Sequence, residues 1–201
     1  MIRCAGVFTY EVDDKEVALK ELNAQIEKQV PLLKNTIGIV MCHPEFVFSG
    51  VMKYICQNLP FETVGATSAA QAVNGESGEM IFTVFVITSD DNEFKCGVTG
   101  AVVCDLKGAV EEAFKESCGS MTESAKLIIT FAPVVDGYSG DDYANAWQNL
   151  SPGTPIFGGG SADDTINFAN CETICNGESH KDKIVFVNVN VISEMKQKDG
   201  K

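Results

Sequence analysis

The residues best equipped for chemistry in this chain sit in two short glycine-bearing stretches. The first, Gly158-Gly159-Gly160-Ser161-Ala162-Asp163-Asp164, joins a flexible backbone to one hydroxyl and two carboxylates. Three glycines let a backbone bend sharply and turn its N–H groups toward a ligand. Ser161 can donate and accept, and Asp163 can fix an ammonium group. The second stretch, Gly65-Ala66-Thr67-Ser68, offers two hydroxyls and exposed amides. A neutral turn facing an Asp-bearing one suits a zwitterion, with Thr67 or Ser68 receiving the carboxylate and Asp163 the ammonium. Thr67, Ser68, Gly159, Gly160, Ser161 and Asp163 are therefore the expected ligand-binding residues, and Asp136, at the end of a strand, joins them as a cleft residue. The bland alternative is a pair of tight turns that satisfy their own backbone. Neither stretch is a nucleotide loop: Asp163 breaks the G-x-G-x-x-G spacing, and no Gly-Lys-Ser/Thr follows.

Catalytic and metal-binding sets are harder to find. Cys42-His43-Pro44-Glu45 invites a Cys–His nucleophile reading, but neighbours on an extended chain point to opposite faces. No nucleophile, base and orienting group stand together, so no catalytic residue is assigned and an enzyme is not expected. His43 as a haem ligand is a minor alternative that would also need an apolar pocket. Cys171 and Cys175 share one face of an expected strand, yet no second Cys/His pair has zinc spacing, so no metal is expected. Asp141 and Asp142 open a helix, where its dipole favours carboxylates.

Composition narrows the class. A net charge of −13, with 15 Lys+Arg against 28 Asp+Glu, leaves no basic surface for nucleic acid. No apolar run reaches the roughly 20 residues of a membrane helix, and the N-terminus lacks the apolar stretch of an export signal. A cytoplasmic protein without membrane insertion is expected, with its eight cysteines as thiols. Cys4, Cys42, Cys96 and Cys104 read as small apolar residues in or beside buried strands.

The elements that must hold these turns are written twice. Strand Ile2–Thr9, a helix from Asp13 or Asp14 to Val30, strand Ile37–Cys42 and a helix over Ser49–Leu59 lead to a short strand at Thr63-Val64. A polar loop over residues 74–78 precedes the strand Met80–Thr88. The order then recurs: strand Lys95–Cys104, helix Asp105–Ser117, strand Lys126–Phe131, helix Gly140–Leu150 and strand Pro155–Phe157 before the glycine loop. Strands Phe168–Cys175 and Lys183–Ile192 close the chain, and residues 193–201 are a polar tail. Gln57-Asn58-Leu59 returns as Gln148-Asn149-Leu150, and Val64–Ala69 aligns with Phe157–Ala162. An α/β fold follows, internally duplicated as β-α-β-α-β-β units over residues 1–93 and 94–192, with mixed sheets and pseudo-two-fold symmetry.

At these residues the chain resembles a known family. Thr63-Val64-Gly65-Ala66-Thr67-Ser68 is similar to its first glycine-containing turn, and Ile156 to Asp163 to its second. With the strand Lys126–Phe131 and the Asp136-Gly137 that follows, the pattern is that of the FIST N-terminal domain, over roughly Cys4 to Ile192. The resemblance implies an intracellular sensory domain of signal transduction that binds a small ligand, with an amino acid the favoured suggestion. It also implies a partner: a C-terminal FIST domain or a separate output protein. A protein-interaction scaffold without a ligand is the alternative, and a haem-binding gas sensor a more distant one.

Overall fold

Alternation along the strands decides how the layers stack. In the computed structural model, which describes residues 1–119 and 125–191, β1 (Ile2–Thr9) is followed by α1 (Lys15–Gln29) and β2 (Asn35–Cys42). Along β2, Ile37 turns to one face and Val40 and Cys42 to the other. A short α2 (Glu45–Phe48), then α3 (Val51–Asn58), lead to β3 (Glu62–Thr67). The hairpin β4 (Gln71–Val73) and β5 (Glu76–Gly78) precedes β6 (Phe82–Ser89). The second half runs β7 (Asn92–Val98), α4 (Leu106–Gly119), β8 (Leu127–Ala132), α5 (Gly140–Leu150), β9 (Ile156–Gly160), the hairpin β10 (Thr173–Cys175) and β11 (Glu178–His180), and β12 (Val185–Val191). The class is mixed α/β, as expected.

Two sheets carry the fold, in the orders β1-β6-β2-β3-β10-β11 and β7-β12-β8-β9. Their shared part has one plan: the first strand antiparallel to the last, the last antiparallel to the second, the second parallel to the third. One face of each sheet meets the other through Ile37, Val64, Ala66, Ile129, Phe131, Val185 and Val187. Leu22, Ile26, Met52 and Ile55 from α1 and α3 cover the outer face of the first sheet. Val110, Ala113, Tyr143 and Trp147 from α4 and α5 cover that of the second. The result is helix, sheet, sheet, helix, with apolar side chains buried at all three seams.

Local chemistry fixes several boundaries. Asp14 caps α1 by accepting from the N–H groups of Glu16 and Val17. Ser139 and Asp142 form a reciprocal capping box at the start of α5, so Asp142 serves the helix start, as its position suggested.

Other expectations need correction. Gly158, Gly159 and Gly160 are not loop but the end of β9, because pairing with β8 holds them extended. The first strand of the second half stops at Val98, which leaves Cys104 exposed in a loop; Cys4 is exposed as well. Strand β10 begins only at Thr173, so Cys171 and Cys175 do not share a strand. The polar loop over 74–78 contains a hairpin turn and a strand. Both hairpins turn on Asn-Gly with positive φ, at Asn74 and Gly75 and at Asn176 and Gly177, the signature of a tight two-residue turn. Each turn continues identically, as Asn-Gly-Glu-Ser over 74–77 and over 176–179. All eight cysteines are unpaired. Ile192 and the polar tail lie outside the described residues.

Candidate functional site

The two glycine-bearing stretches lie at corresponding strand ends and touch. Gly65 pairs with Val40 and Gly158 with Thr130, at the same step of the parallel β2–β3 and β8–β9 ladders. Beyond the strands, Ser68 N–H donates to Cys42 O and Ser161 N–H donates to Ala132 O, both at 2.8 Å. Ala162 N–H then donates to Thr67 O at 2.9 Å. Thr67, Ser161 and Asp163 are brought together in a hydrogen-bonded clasp instead of facing each other across a cleft.

Inside the clasp the polar groups serve the backbone. Asp163 accepts from Thr165 N–H (3.0 Å), Thr165 Oγ1 (2.8 Å) and Asn170 N–H (2.8 Å). Burial works to raise its pKa, but the bonds from Thr165 and Asn170, with His43 nearby, hold it below the usual carboxylate value. Thr67 Oγ1 accepts from Glu172 N–H at 2.9 Å, while Thr67 N–H donates to Glu172 O at 2.9 Å. Ser68 Oγ donates to Ala70 O at 2.9 Å, the local turn bond weighed above. Ser161 Oγ is buried without a hydrogen-bond partner among the described residues.

The cysteine and histidine candidates gain nothing from their setting. Burial pushes Cys42 well above its usual value, and Cys171 up to about 11 with the Asp163 carboxylate adding to it. Neither is a thiolate at neutral pH. His43 Nδ1 accepts from Glu45 N–H at 3.2 Å, and its Nε2 lies 3.6 Å from Asp164 Oδ2. Among the described residues no three His, Cys, Asp or Glu are grouped as a metal would need.

A cavity of about 600 Å³ lies elsewhere, on the outer face of the second sheet, between α5 and strands β8 and β9. Tyr138, Tyr143 and Trp147 form its aromatic wall, Pro133, Val134 and Val135 a second side, and Gly158, Gly159 and Gly160 its edge along β9. No charged side chain lines it. Tyr143 is held by its hydroxyl, which donates to Pro133 O at 3.1 Å. Trp147 is fully buried, and its Nε1 has no acceptor among the described residues. Asp136 is exposed in the loop between the wall residues Val135 and Tyr138. Of the expected site residues, then, Gly159 and Gly160 line the cavity, Asp136 stands in a wall loop, and Thr67, Ser68, Ser161 and Asp163 stay with the clasp. Tyr138, Tyr143 and Trp147 escaped the sequence reading: Tyr143 and Trp147 because aromatics at helical spacing look like core, Tyr138 because it sits in the loop before α5.

An α/β domain of paired sheets with a ligand-sized concavity on a helix face is the class these features define. The chain belongs to the FIST N domain family, whose sequence model matches residues 36–193, a family of signal-transduction sensory domains. No curated protein matches. Among solved structures, cyanuric acid hydrolase from A. caulinodans is similar at a TM-score of 0.47 and 10% identity, over 94% of this chain and 71% of that one. A likeness at that level carries over neither activity nor site residues. No helix among the described residues is long and apolar enough to cross a membrane.

Proposed function

We propose that this sensory domain binds a small ligand in the cavity beside α5, and that the ligand is an amino acid with an aromatic or branched apolar side chain. The observation that carries the reading is an uncharged space of about 600 Å³ walled by Tyr138, Tyr143 and Trp147. That volume lies within the roughly 300–1,000 Å³ usual for small-molecule pockets. An apolar side chain packs against Tyr138 and Tyr143, and its charged end stays at the mouth, where no buried charge has to be matched. Asp136, exposed in the loop beside that wall, supplies the carboxylate for an ammonium group in this reading.

Calorimetric titration of the whole chain tests this with phenylalanine, tyrosine and leucine against lysine and glutamate. Binding confined to the apolar set supports the reading. No heat from any of the five, or equal affinity for the charged pair, removes it. Ala144→Phe provides the control: Ala144 lines the cavity yet is exposed on α5, so the larger ring fills the space without entering the core.

A further inference from the structure

Strands β3 and β9 hold the same place in their sheets but differ at their outer edges. Along β3, residues Val64 to Thr67 are buried because β10 pairs with them antiparallel, setting Cys175, Ile174 and Thr173 opposite Val64, Gly65 and Ala66. Along β9, Phe157 to Gly160 are exposed, Phe157 at 68%, and no strand lies on its outer side among the described residues. An open, apolar strand edge is a site for further pairing.

The hairpin that covers β3 also covers the helix beside it. Ile174 is buried in the same cluster as Met52, Ile55 and Cys56. A Cβ on Gly177 would lie 3.0 Å from Lys53 O and 3.1 Å from the Gln57 side chain. Aligning Gln57-Asn58-Leu59 with Gln148-Asn149-Leu150 sets Met52, Lys53, Cys56 and Gln57 against Tyr143, Ala144, Trp147 and Gln148. All four of the latter line the cavity. The cavity is thus the vacant counterpart of a seat that a hairpin fills in the first half.

The chain also carries a hairpin that adds to no larger sheet. Strands β4 and β5 pair only with each other, and they share the Asn-Gly-Glu-Ser turn and the register of β10 and β11. The hairpin rests its tip on β1, where Asn74 Nδ2 donates to Gly6 O at 2.6 Å, but adds to no larger sheet; that hairpin and the unused seat are complementary, and a second copy supplies each with its match. We propose that the edge of β9 and the adjoining cavity wall receive the β4–β5 hairpin of a second copy. By correspondence with β10 on β3, Val73, Ala72 and Gln71 pair with Phe157, Gly158 and Gly159. Such contacts are head-to-tail, and where the rotation between copies closes they form a ring, the smallest being a dimer. The apolar rims agree with this: Tyr10 and Met80 are exposed near the hairpin, and Val134 near the seat. Where Lys53 ties Glu178 to α3 at 2.9 Å, Ala144 offers Glu76 no partner, so this seat rests on strand pairing and apolar contact. Hairpin and ligand would share the wall, so ligand occupancy opposes association.

The test uses the whole chain without ligand, so its outcome is separate from the fate of the small-ligand reading. Light scattering across a range up to about 100 µM should find a concentration-dependent dimer or larger ring. Ala72→Asp, on an exposed hairpin residue, should raise the dissociation constant at least about tenfold by placing a charge in the apolar seat, as should Gly160→Pro, which removes an outward N–H of β9. Both variants should keep the wild-type circular dichroism. Mixed, they should form a one-to-one complex, since one retains the seat and the other the hairpin. A chain monomeric throughout, or variants that associate as wild type does, would overturn the proposal.

Discussion

Gly65 and Gly158 stand in one relation to their neighbouring strands: a Cβ on either would lie 1.7 Å from a main-chain oxygen, Val40 O in the first sheet and Thr130 O in the second. Both positions therefore exclude every side chain. The contact draws β3 against β2 and β9 against β8 at the step where both strands leave for the clasp.

Substitutions along β3 and β9 should separate this packing role from simple flexibility. Gly65→Ala and Gly158→Ala should each cost about 1–3 kcal/mol, because backbone must shift to admit a methyl group. Gly159→Ala, with nothing within 4 Å of the added carbon, should stay within about 0.5 kcal/mol. Urea unfolding of the three variants measures the difference, and equal costs would contradict the account.

Asp163 gives a pH-dependent prediction. Its folded pKa is depressed, so the carboxylate stabilises the fold above its unfolded value of about 3.9, and that contribution fades as pH falls through the lower folded value. Asp163→Asn should be less stable than wild type near neutrality, by about 1.5–3 kcal/mol for weakened charge-assisted bonds. The two melting curves should converge below about pH 4. A gap that is constant with pH would show that the charge of Asp163 is not what holds the clasp.

Much of the fold was legible because its signals are local. Asp14 marks the start of α1, apolar periodicity marks the helices, and β-branched runs mark β2, β6 and β8. The pairing of the Gly65 and Gly158 stretches was also readable from Gln-Asn-Leu and the turns that follow it. The rest depends on partners distant in sequence. Nothing local says that Gly158 to Gly160 form strand, since β8 imposes it. The two hairpins did carry a local signal in their identical Asn-Gly-Glu-Ser turns, overlooked because a polar run reads as loop. The cavity had no local signal at all. Tyr143 and Trp147 have the spacing of core residues, and the space beside them comes from a hairpin seat left unfilled. Thr67 and Asp163 were expected to face each other across a cleft, but they lie in one clasp because Glu172, Thr165 and Asn170, from the loop that follows β9, engage them.

The cysteines should separate by exposure. A thiol reagent added to native protein should modify Cys4 and Cys104 first, since these two are exposed, with Cys42 and Cys56 among the last. Burial holds Cys56 up at about 11, which removes its thiolate at neutral pH. Denatured, unreduced protein should yield all eight thiols. A smaller number would mean a disulfide that this fold does not contain.

Trp147 is the chain's single tryptophan and forms part of the cavity wall, so its emission reports on the proposed site directly. Fluorescence titration at about 1 µM protein, low enough to disfavour self-association, is the most direct test of the account. Phenylalanine, tyrosine or leucine should produce a saturable change in intensity or wavelength in the wild type and none in Ala144→Phe. Emission that stays flat with all three, or that changes identically in Ala144→Phe, would contradict ligand binding beside α5.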